Sequence, residues 1–473
     1  MGAETNKKAA KASIGYVVGN YLLKGITFLS APIFSRLLSV GGYGAFSSFF
    51  IYEGIIYIFI GMALHTSINT AMYRYKDKIE EYVSSIVLLI LCNSVLWLIG
   101  ACVFWNYYKD ILGYSFYISI LLILYSVASA LLQVYNNFVG LSYNYKNFLK
   151  ISYINALSSL ILSILLILFV MPNNKYEGRI IGASVPLMLI SIYFVLFFFR
   201  KAKPTIKKEY FVFGIKYSIP LIPHGIASVI LASFDMVMIR KIRGDIEAGI
   251  YSFAYNICQI FAVLSNSIQN VWKPWFFEKM EEKKYDEIRK TATWYVFTIA
   301  YVAMMIIIIS PEITKIMGPK DYWEANNCVM PVILGGFFSF LYTIPSLVEY
   351  YYQKTTGIGV ASVCAACVNI ILNAIFIPRY GYIAAACTTV FTYLLYFIFH
   401  YIMAIKCNGF CLFDTKKIII ISSGLTIVSL CSVFLEKYWM VRWAMDIVLG
   451  SVFLILAEKN FHISALLKKK ERV

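Results

Sequence analysis

Apolar stretches long enough to cross a lipid bilayer recur from one end of this chain to the other. A spanning helix needs about 20 apolar residues. Segments that meet this requirement fall at 12–38, 43–66, 82–106, 112–138, 149–171, 179–199, 211–238, 248–272, 291–310, 328–351, 357–377, 382–404, 417–435 and 440–457. Of the 473 residues, 60% are hydrophobic and 14% charged, where a soluble domain carries roughly a quarter charged residues. The chain therefore reads as an all-α polytopic membrane protein of about fourteen transmembrane helices. An even number places both termini on one side.

The placement of charge decides which side. With the N-terminus inside, 28 of the 42 Lys and Arg fall in cytoplasmic connections and tails and 12 in outer ones, which is the positive-inside pattern. Both termini are thus expected in the cytoplasm. The net charge of +17 sets topology and attracts anionic headgroups, so nucleic acid is not an expected partner. The basic start (Lys7, Lys8, Lys11) leads into a segment of spanning length and reads as the first transmembrane helix, not a cleavable signal. Cys364 and Cys367 form a CxxC inside an apolar helix with no second pair, so no metal or other cofactor is expected.

The connections are short and form no large outer domain, and no G-x-x-x-x-G-K-[ST] is present. Any transport would have to run on an ion gradient, of protons or sodium, or on membrane potential. An internal repeat sets the organisation. "SRLLSVGGYGAFSSF" from Ser35 and "RKIRGDIEAGIYSFA" from Arg240 superpose on a shift of 205 residues, which places Arg36 on Lys241, Gly44 on Gly249, Phe46 on Tyr251 and Ser47 on Ser252. "MPNNKYEGRIIGAS" from Met171 and "IPRYGYIAAA" from Ile377 echo each other as breaks between consecutive helices. This gives two six-helix lobes plus two further helices: an N-lobe at 1–200, a linker at 201–210, a C-lobe at 211–405, and helices 13 and 14 with a basic tail at 412–473. Parallel repeats of this kind bind substrate between lobes and work by alternating access.

Polar groups within the spans mark candidate sites. On helix 8, Ser252, Asn256, Gln259, Asn266 and Asn270 share one face at about 100° per residue, either as interhelical hydrogen bonds or as a hydrophilic cavity wall. Ser47, Gly54, Gly61 and His65 form a similar face on helix 2. Lys24 and Glu53 sit near the midplane and either pair with each other or leave Lys24 to receive an anionic substrate group. His224 and Asp235 share a face of helix 7. With Glu53 they are the candidates for ion coupling, the competing reading being a local ion pair of Asp235 with Arg240 and a satisfied histidine. Glu349 is expected simply to face the cytoplasmic interface. Asn369 and Asn373 sit one turn apart in "VNIILNAIFIPRYGYIAAACTTV". The acidic stretch "EKMEEKKYDEIRK" alternates in sign and reads as a solvated helix, so no enzymatic site is expected.

Three stretches resemble the polysaccharide-transporter (Wzx-like) family of the MOP flippase superfamily, whose fold is shared with the MATE transporters. They are "VNIILNAIFIPRYGYIAAACTTVFTYLLYFIFHY" from Val368, "PHGIASVILASFDMVMIRKIRGDIEAGIYSFAY" from Pro223 and "GITFLSAPIFSRLLSVGGYGAFS" from Gly25. The resemblance covers most of 12–405 and implies flipping of an undecaprenyl-diphosphate-linked oligosaccharide, an O-antigen, capsule or exopolysaccharide repeat unit. Movement would be from the cytoplasmic to the outer leaflet of a bacterial cytoplasmic (inner) membrane, beside other polysaccharide-assembly membrane proteins. On that analogy Asn369 and Asn373 would border the C-lobe interior. A sugar diphosphate cannot enter hydrocarbon bare, since each polar group costs several kcal/mol there. Lys24, Arg36, Arg240, Lys241 and Lys216 are the candidate cations. A lipid II-type flippase or a multidrug exporter of the same superfamily is the rival reading.

Overall fold

A computed structural model describes residues 2–141 and 145–461. Among these the structure is helical throughout, with no strand: α1 (Gly2–Leu37), α2 (Val40–Ile60), α3 (Ile68–Arg74), α4 (Ile79–Val103), α5 (Trp105–Leu112), α6 (Phe116–Leu141), α7 (Tyr145–Leu165), α8 (Lys175–Lys201), α9 (Lys208–Ser218), α10 (Ile222–Arg243), α11 (Asp245–Glu281), α12 (Tyr285–Ile308), α13 (Ser310–Met317), α14 (Asn326–Tyr351), α15 (Thr355–Asn408), α16 (Thr415–Phe434) and α17 (Trp439–Phe461).

Twelve helical segments among the described residues are long and apolar enough to cross a membrane. One of them, α15, has 54 residues, about 80 Å at 1.5 Å per residue, against a hydrocarbon core of about 30 Å. It is two spans. The break falls at Gly381, whose φ of 67° and ψ of −154° leave the helical region. The restart is capped from elsewhere: a Glu247 carboxylate oxygen accepts the Tyr382 backbone N–H at 3.1 Å and the other accepts from Arg243 Nε at 2.8 Å. The "IPRYGY" interruption thus bends the chain at the glycine, while Pro378 stays within the helix. Counted as two, α15 brings the candidate spans among the described residues to thirteen, close to the fourteen segments read from the sequence.

The chain divides into two compact units, residues 1–253 with 362–385, and residues 254–361 with 386–473. In the first, α2, α4, α6, α7, α8 and α10 pack together. Part of its core is aromatic: Tyr82, Tyr135, Phe194, Phe198 and Tyr210 are all buried, with Tyr135 stacked on Phe194 at 4.4 Å. The segment that the sequence assigns as a linker is pinned at the start of α4. Ser84 donates to Phe198 O at 2.8 Å, Lys201 pairs with Glu80 and Lys207 with Glu81.

The two copies of the repeat touch each other within this unit. A Cβ on Gly44 would lie 2.3 Å from Asp245 O and 2.6 Å from Gly249 N, and a Cβ on Gly249 would lie 1.9 Å from Val40 O. Under the same 205-residue shift Val40 corresponds to Asp245. The contact is therefore reciprocal, as across a two-fold axis. Ser39 caps α2 at this point, accepting from Gly42 N at 3.1 Å.

In the second unit α12 packs against α14, α16 and α17, which gives helices 13 and 14 a place. Arg442 of α17, 2% exposed, donates to both carboxylate oxygens of Glu312 on α13, at 2.8 and 2.5 Å, and to Ile308 O at the end of α12. Tyr301 stacks on Phe453 at 4.2 Å. Arg289 holds the turn before α16 through Leu412 O and Cys411 O, both at 3.3 Å.

Candidate functional site

In the first unit a cluster of polar and aromatic side chains lies along α2. Apolar residues fill most of that helix, yet one stripe carries Tyr43, Phe46, Phe50, Glu53 and Tyr57, at the three- and four-residue spacing of a helix face. Tyr125 and Ser129 of α6 lie beside Glu53, and Tyr125 is also within electrostatic reach of Arg179.

Arg179 is the cation of this cluster. It stands in the second turn of α8, which packs so closely on α7 that a Cβ on Gly182 would lie 2.4 Å from Ser163 Cα. Its guanidinium donates to Ser163 Oγ at 2.7 Å. It lies over the rings of Phe34 at 3.7 Å and Phe46 at 4.5 Å, a planar stacking that arginine performs better than lysine. Its Nε is shielded from solvent and has no hydrogen-bond partner. Among the described residues no carboxylate forms an ion pair with it. A buried guanidinium is ordinarily paired. An uncompensated one is a ready receptor for an anionic group.

On another side of α2 lies an apolar cavity of about 460 Å³, lined by Ile56, Leu96, Trp97, Phe104, Tyr108 and Ile123 among others. Its walls are α2, α4, α5 and α6. Asn93, at its edge, spends its amide on Phe59 O and Ile60 O, at 3.2 and 2.8 Å. One unit thus offers a cationic polar cluster and a hydrocarbon-like recess on the same helix.

The residues expected from the sequence are placed as follows. Lys24 is exposed and Glu53 is partly buried, and the two form no ion pair. Arg36 donates to Pro32 O at 2.7 Å. Arg240 is engaged by Asp245 at 2.6 Å, by Leu112 O and Gly113 O at 3.1 Å and by the Tyr114 ring at 4.2 Å. Lys241, Lys216 and His224 are exposed. Asp235 is 2% exposed, accepting from Met236 N at 3.0 Å and from the Tyr251 hydroxyl, so its partner is a tyrosine and not Arg240. Asn369 and Asn373 are buried and paired, Asn373 Nδ2 donating to Asn369 Oδ1 at 3.1 Å. All of these belong to the first unit. On the α11 stripe Ser252 is buried and Asn256 partly so, while Gln259, Asn266 and Asn270, in the second unit, are exposed.

Glu349 corrects its expectation. It is fully buried, bonded to an equally buried His400, because α14 and the second half of α15 close over it. Arg179 stands at the first position of the sixth apolar segment, where a loop residue and a buried cation look alike in sequence. The only signal was an arginine followed by an unbroken apolar run.

The profile of the polysaccharide biosynthesis protein family matches residues 9–280, more than half of the chain. Two relatives are 21% and 22% identical. "Lsg locus putative protein 1" of Haemophilus influenzae aligns over 76% of this chain and 91% of its own length. The "probable low-salt glycan biosynthesis flippase Agl15" of Haloferax volcanii aligns over 83% and 82%. Among solved structures, a lipid II flippase MurJ in an inward closed conformation superposes with a TM-score of 0.69 at 14% identity, covering 94% of this chain and 99% of its own. An inward-facing multidrug resistance MATE family transporter of the MOP superfamily gives 0.63 at 10% identity, covering 82% and 95%. These similarities show the fold.

Proposed function

The chain belongs to the polysaccharide biosynthesis protein family, and on that premise we propose that it flips a polyprenyl-diphosphate-linked oligosaccharide across the cytoplasmic membrane, from the inner to the outer leaflet, by alternating access. The observation that carries the reading is Arg179: a guanidinium over the rings of Phe34 and Phe46, bonded to one serine and, among the described residues, in no ion pair with a carboxylate. Fixed donors of this kind suit a diphosphate, which arginine holds through several N–H groups at once. The tyrosines and serines around it supply hydroxyls for the sugars. The apolar recess on α2 gives the tail of an amphipathic substrate a place beside its head. Lys24, exposed on α1, adds positive charge in the same unit. The glycan flippase among the relatives supports the substrate class, and the transporter fold supports a non-enzymatic role. Both termini facing the cytoplasm agrees with the distribution of Lys and Arg.

The test uses purified protein in liposomes that contain a fluorescent lipid-linked oligosaccharide. Accessibility of the label to an external quencher should rise in a protein-dependent way. Arg179→Ala should remove the activity at unchanged protein level, and Arg179→Lys should retain a fraction of it. Wild-type flipping by Arg179→Ala would overturn the assignment of the site. Transport of cationic dyes but of no lipid-linked sugar would move the function to drug export.

A further inference from the structure

The second unit contains a buried acid–base pair that substrate binding does not use. Glu349 lies near the end of α14 and His400 in the second half of α15, and both side chains are fully buried. Glu349 Oε1 and His400 Nδ1 are 2.5 Å apart. The other two polar atoms, Glu349 Oε2 and His400 Nε2, are sealed from solvent and have no hydrogen-bond partner. The large majority of buried side-chain polar atoms have at least one hydrogen-bond partner. Two orphaned atoms on one dyad are an exception that asks for a role.

The surroundings restrict what that role can be. The His400 ring is stacked on Tyr342 at 5.6 Å and meets Tyr396 and Phe399 edge-on at 4.5 and 5.4 Å. A Cβ at Gly357, in the first turn of α15, would stand 3.7 Å from Glu349 Oε2. The titratable groups that face the pair are Tyr342 on α14, Tyr396 on α15, the neighbouring Tyr350, and Cys407 within electrostatic reach of Glu349. Lys354, just before α15, is exposed. Apart from His400, no described basic residue forms an ion pair with Glu349. The aromatic walls carry no compensating charge.

We propose that Glu349 and His400 form a proton-binding site that couples flipping to the transmembrane proton gradient. The inference rests on the flippase reading above. With one proton held between them the two groups are neutral overall. Removing it leaves a net negative charge and adding a second leaves a net positive one, and neither is tolerated in a sealed apolar interior without a counter-ion. The sealed conformation therefore accepts only the singly protonated pair. Once α14 and the second half of α15 separate on one side, water can hydrate the charged form and the proton leaves through that side. The unloaded transporter must therefore hold the proton to close and reset, whereas the substrate-loaded transporter crosses with the pair hydrated and emptied, so that one proton moves inward for each headgroup moved outward. The same requirement gives the gradient a means of biasing which way the transporter resets.

The experiment compares wild type with Glu349→Gln and His400→Gln in liposomes at equal sodium and clamped membrane potential. Fluorescent lipid-linked oligosaccharide is followed by quenching, and internal pH by an entrapped dye. Wild type should flip several-fold faster under an imposed pH gradient than without one, and substrate should drive a matching proton flux. Under the gradient both variants should flip no faster than wild type does without it, and the proton flux should vanish. A wild type indifferent to the gradient, or a variant that retains the full response, overturns the proposal. Should wild type flip nothing at all, the flippase reading fails and the dyad is still decided by infrared difference spectra. A pH-dependent carboxyl band that disappears in Glu349→Gln supports a proton site, and no such band refutes it.

Discussion

Gly249→Ala probes the one place where the internal repeat closes on itself. The added Cβ would lie 1.9 Å from Val40 O and 2.8 Å from Val40 C. Restoring ordinary contact near 3.5 Å requires the start of α2 and the start of α11 to move apart by about 1.5 Å. Both atoms are backbone, so no rotamer change relieves the clash. Overpacking of this kind costs about 1–3 kcal/mol, which corresponds to roughly 5- to 150-fold in a two-state population at 1.4 kcal/mol per tenfold. Gly44→Ala, whose Cβ would meet Asp245 O at 2.3 Å, should behave alike, because the repeat makes the contact reciprocal. Gly359→Ala, where nothing lies within 4 Å, is the control and should be neutral or slightly stabilising. The assay is thermal unfolding of the purified protein together with cysteine labelling at a reporter on α2. The two repeat glycines should lower the midpoint and raise labelling, and the control should do neither. Wild-type midpoint and labelling in Gly249→Ala would refute the close approach.

Three further outcomes follow from the packing. Glu312→Ala leaves Arg442 buried without its carboxylate, and removing one partner of such a pair costs about 3–5 kcal/mol; thermal unfolding should show a clearly lowered midpoint, and an unchanged one would mean that α17 is not anchored there. Gly381→Ala forces a side chain into φ +67°, with its Cβ 2.6 Å from Glu247 Oε2, at a cost of about 1–3 kcal/mol, measurable as loss of folded protein after mild heating. Asp414 caps α16 by accepting from Lys417 N at 3.2 Å, and hydrogen bonds from Lys417 hold its carboxyl below the usual range. Its contribution is therefore complete above the unfolded carboxyl pKa of about 3.9 and fades as pH falls through the lowered folded value. Asp414→Ala should cost about 1 kcal/mol at neutral pH and nothing once the wild-type carboxyl is protonated.

Much of the fold was legible because lipid imposes a strict rule on the backbone, which the apolar runs record directly. The break after "IPRYGY" was readable for the same reason, although Gly381 and not Pro378 makes the bend. The repeat was legible as a shift of 205 residues, but not that its copies touch, since identity at a distance says nothing of contact. The candidate site was harder. Lys24 and Glu53 lie at similar depth, which suggests a pair, but depth does not fix azimuth, and the two do not meet. Asn369 and Asn373 were visible as one turn of helix, and bond each other as that spacing permits. Glu349 and His400 are 51 residues apart on different helices, and no periodicity within one helix can join them. Arg179 stood at a segment edge, where a loop residue and a buried cation look alike.

Where the charges fall bears on how such a chain could work. The first unit holds a guanidinium without a carboxylate; the second holds a carboxylate and an imidazole whose charges cancel when they share one proton. The unpaired cation is costly when empty and is relieved by an anionic headgroup. The neutral pair is tolerated when sealed and becomes costly only when its proton is lost. On the proposed reading, an anionic headgroup would lower the electrostatic cost in the first unit and loss of the proton would raise it in the second. α11 passes from the first unit to the second after Phe253, and α15 passes from the second to the first and back at residues 361–362 and 385–386. The second of these crossings lies within about one turn of Gly381, the residue where the helix departs from α geometry. His400 lies about five turns beyond Gly381 on the same helix.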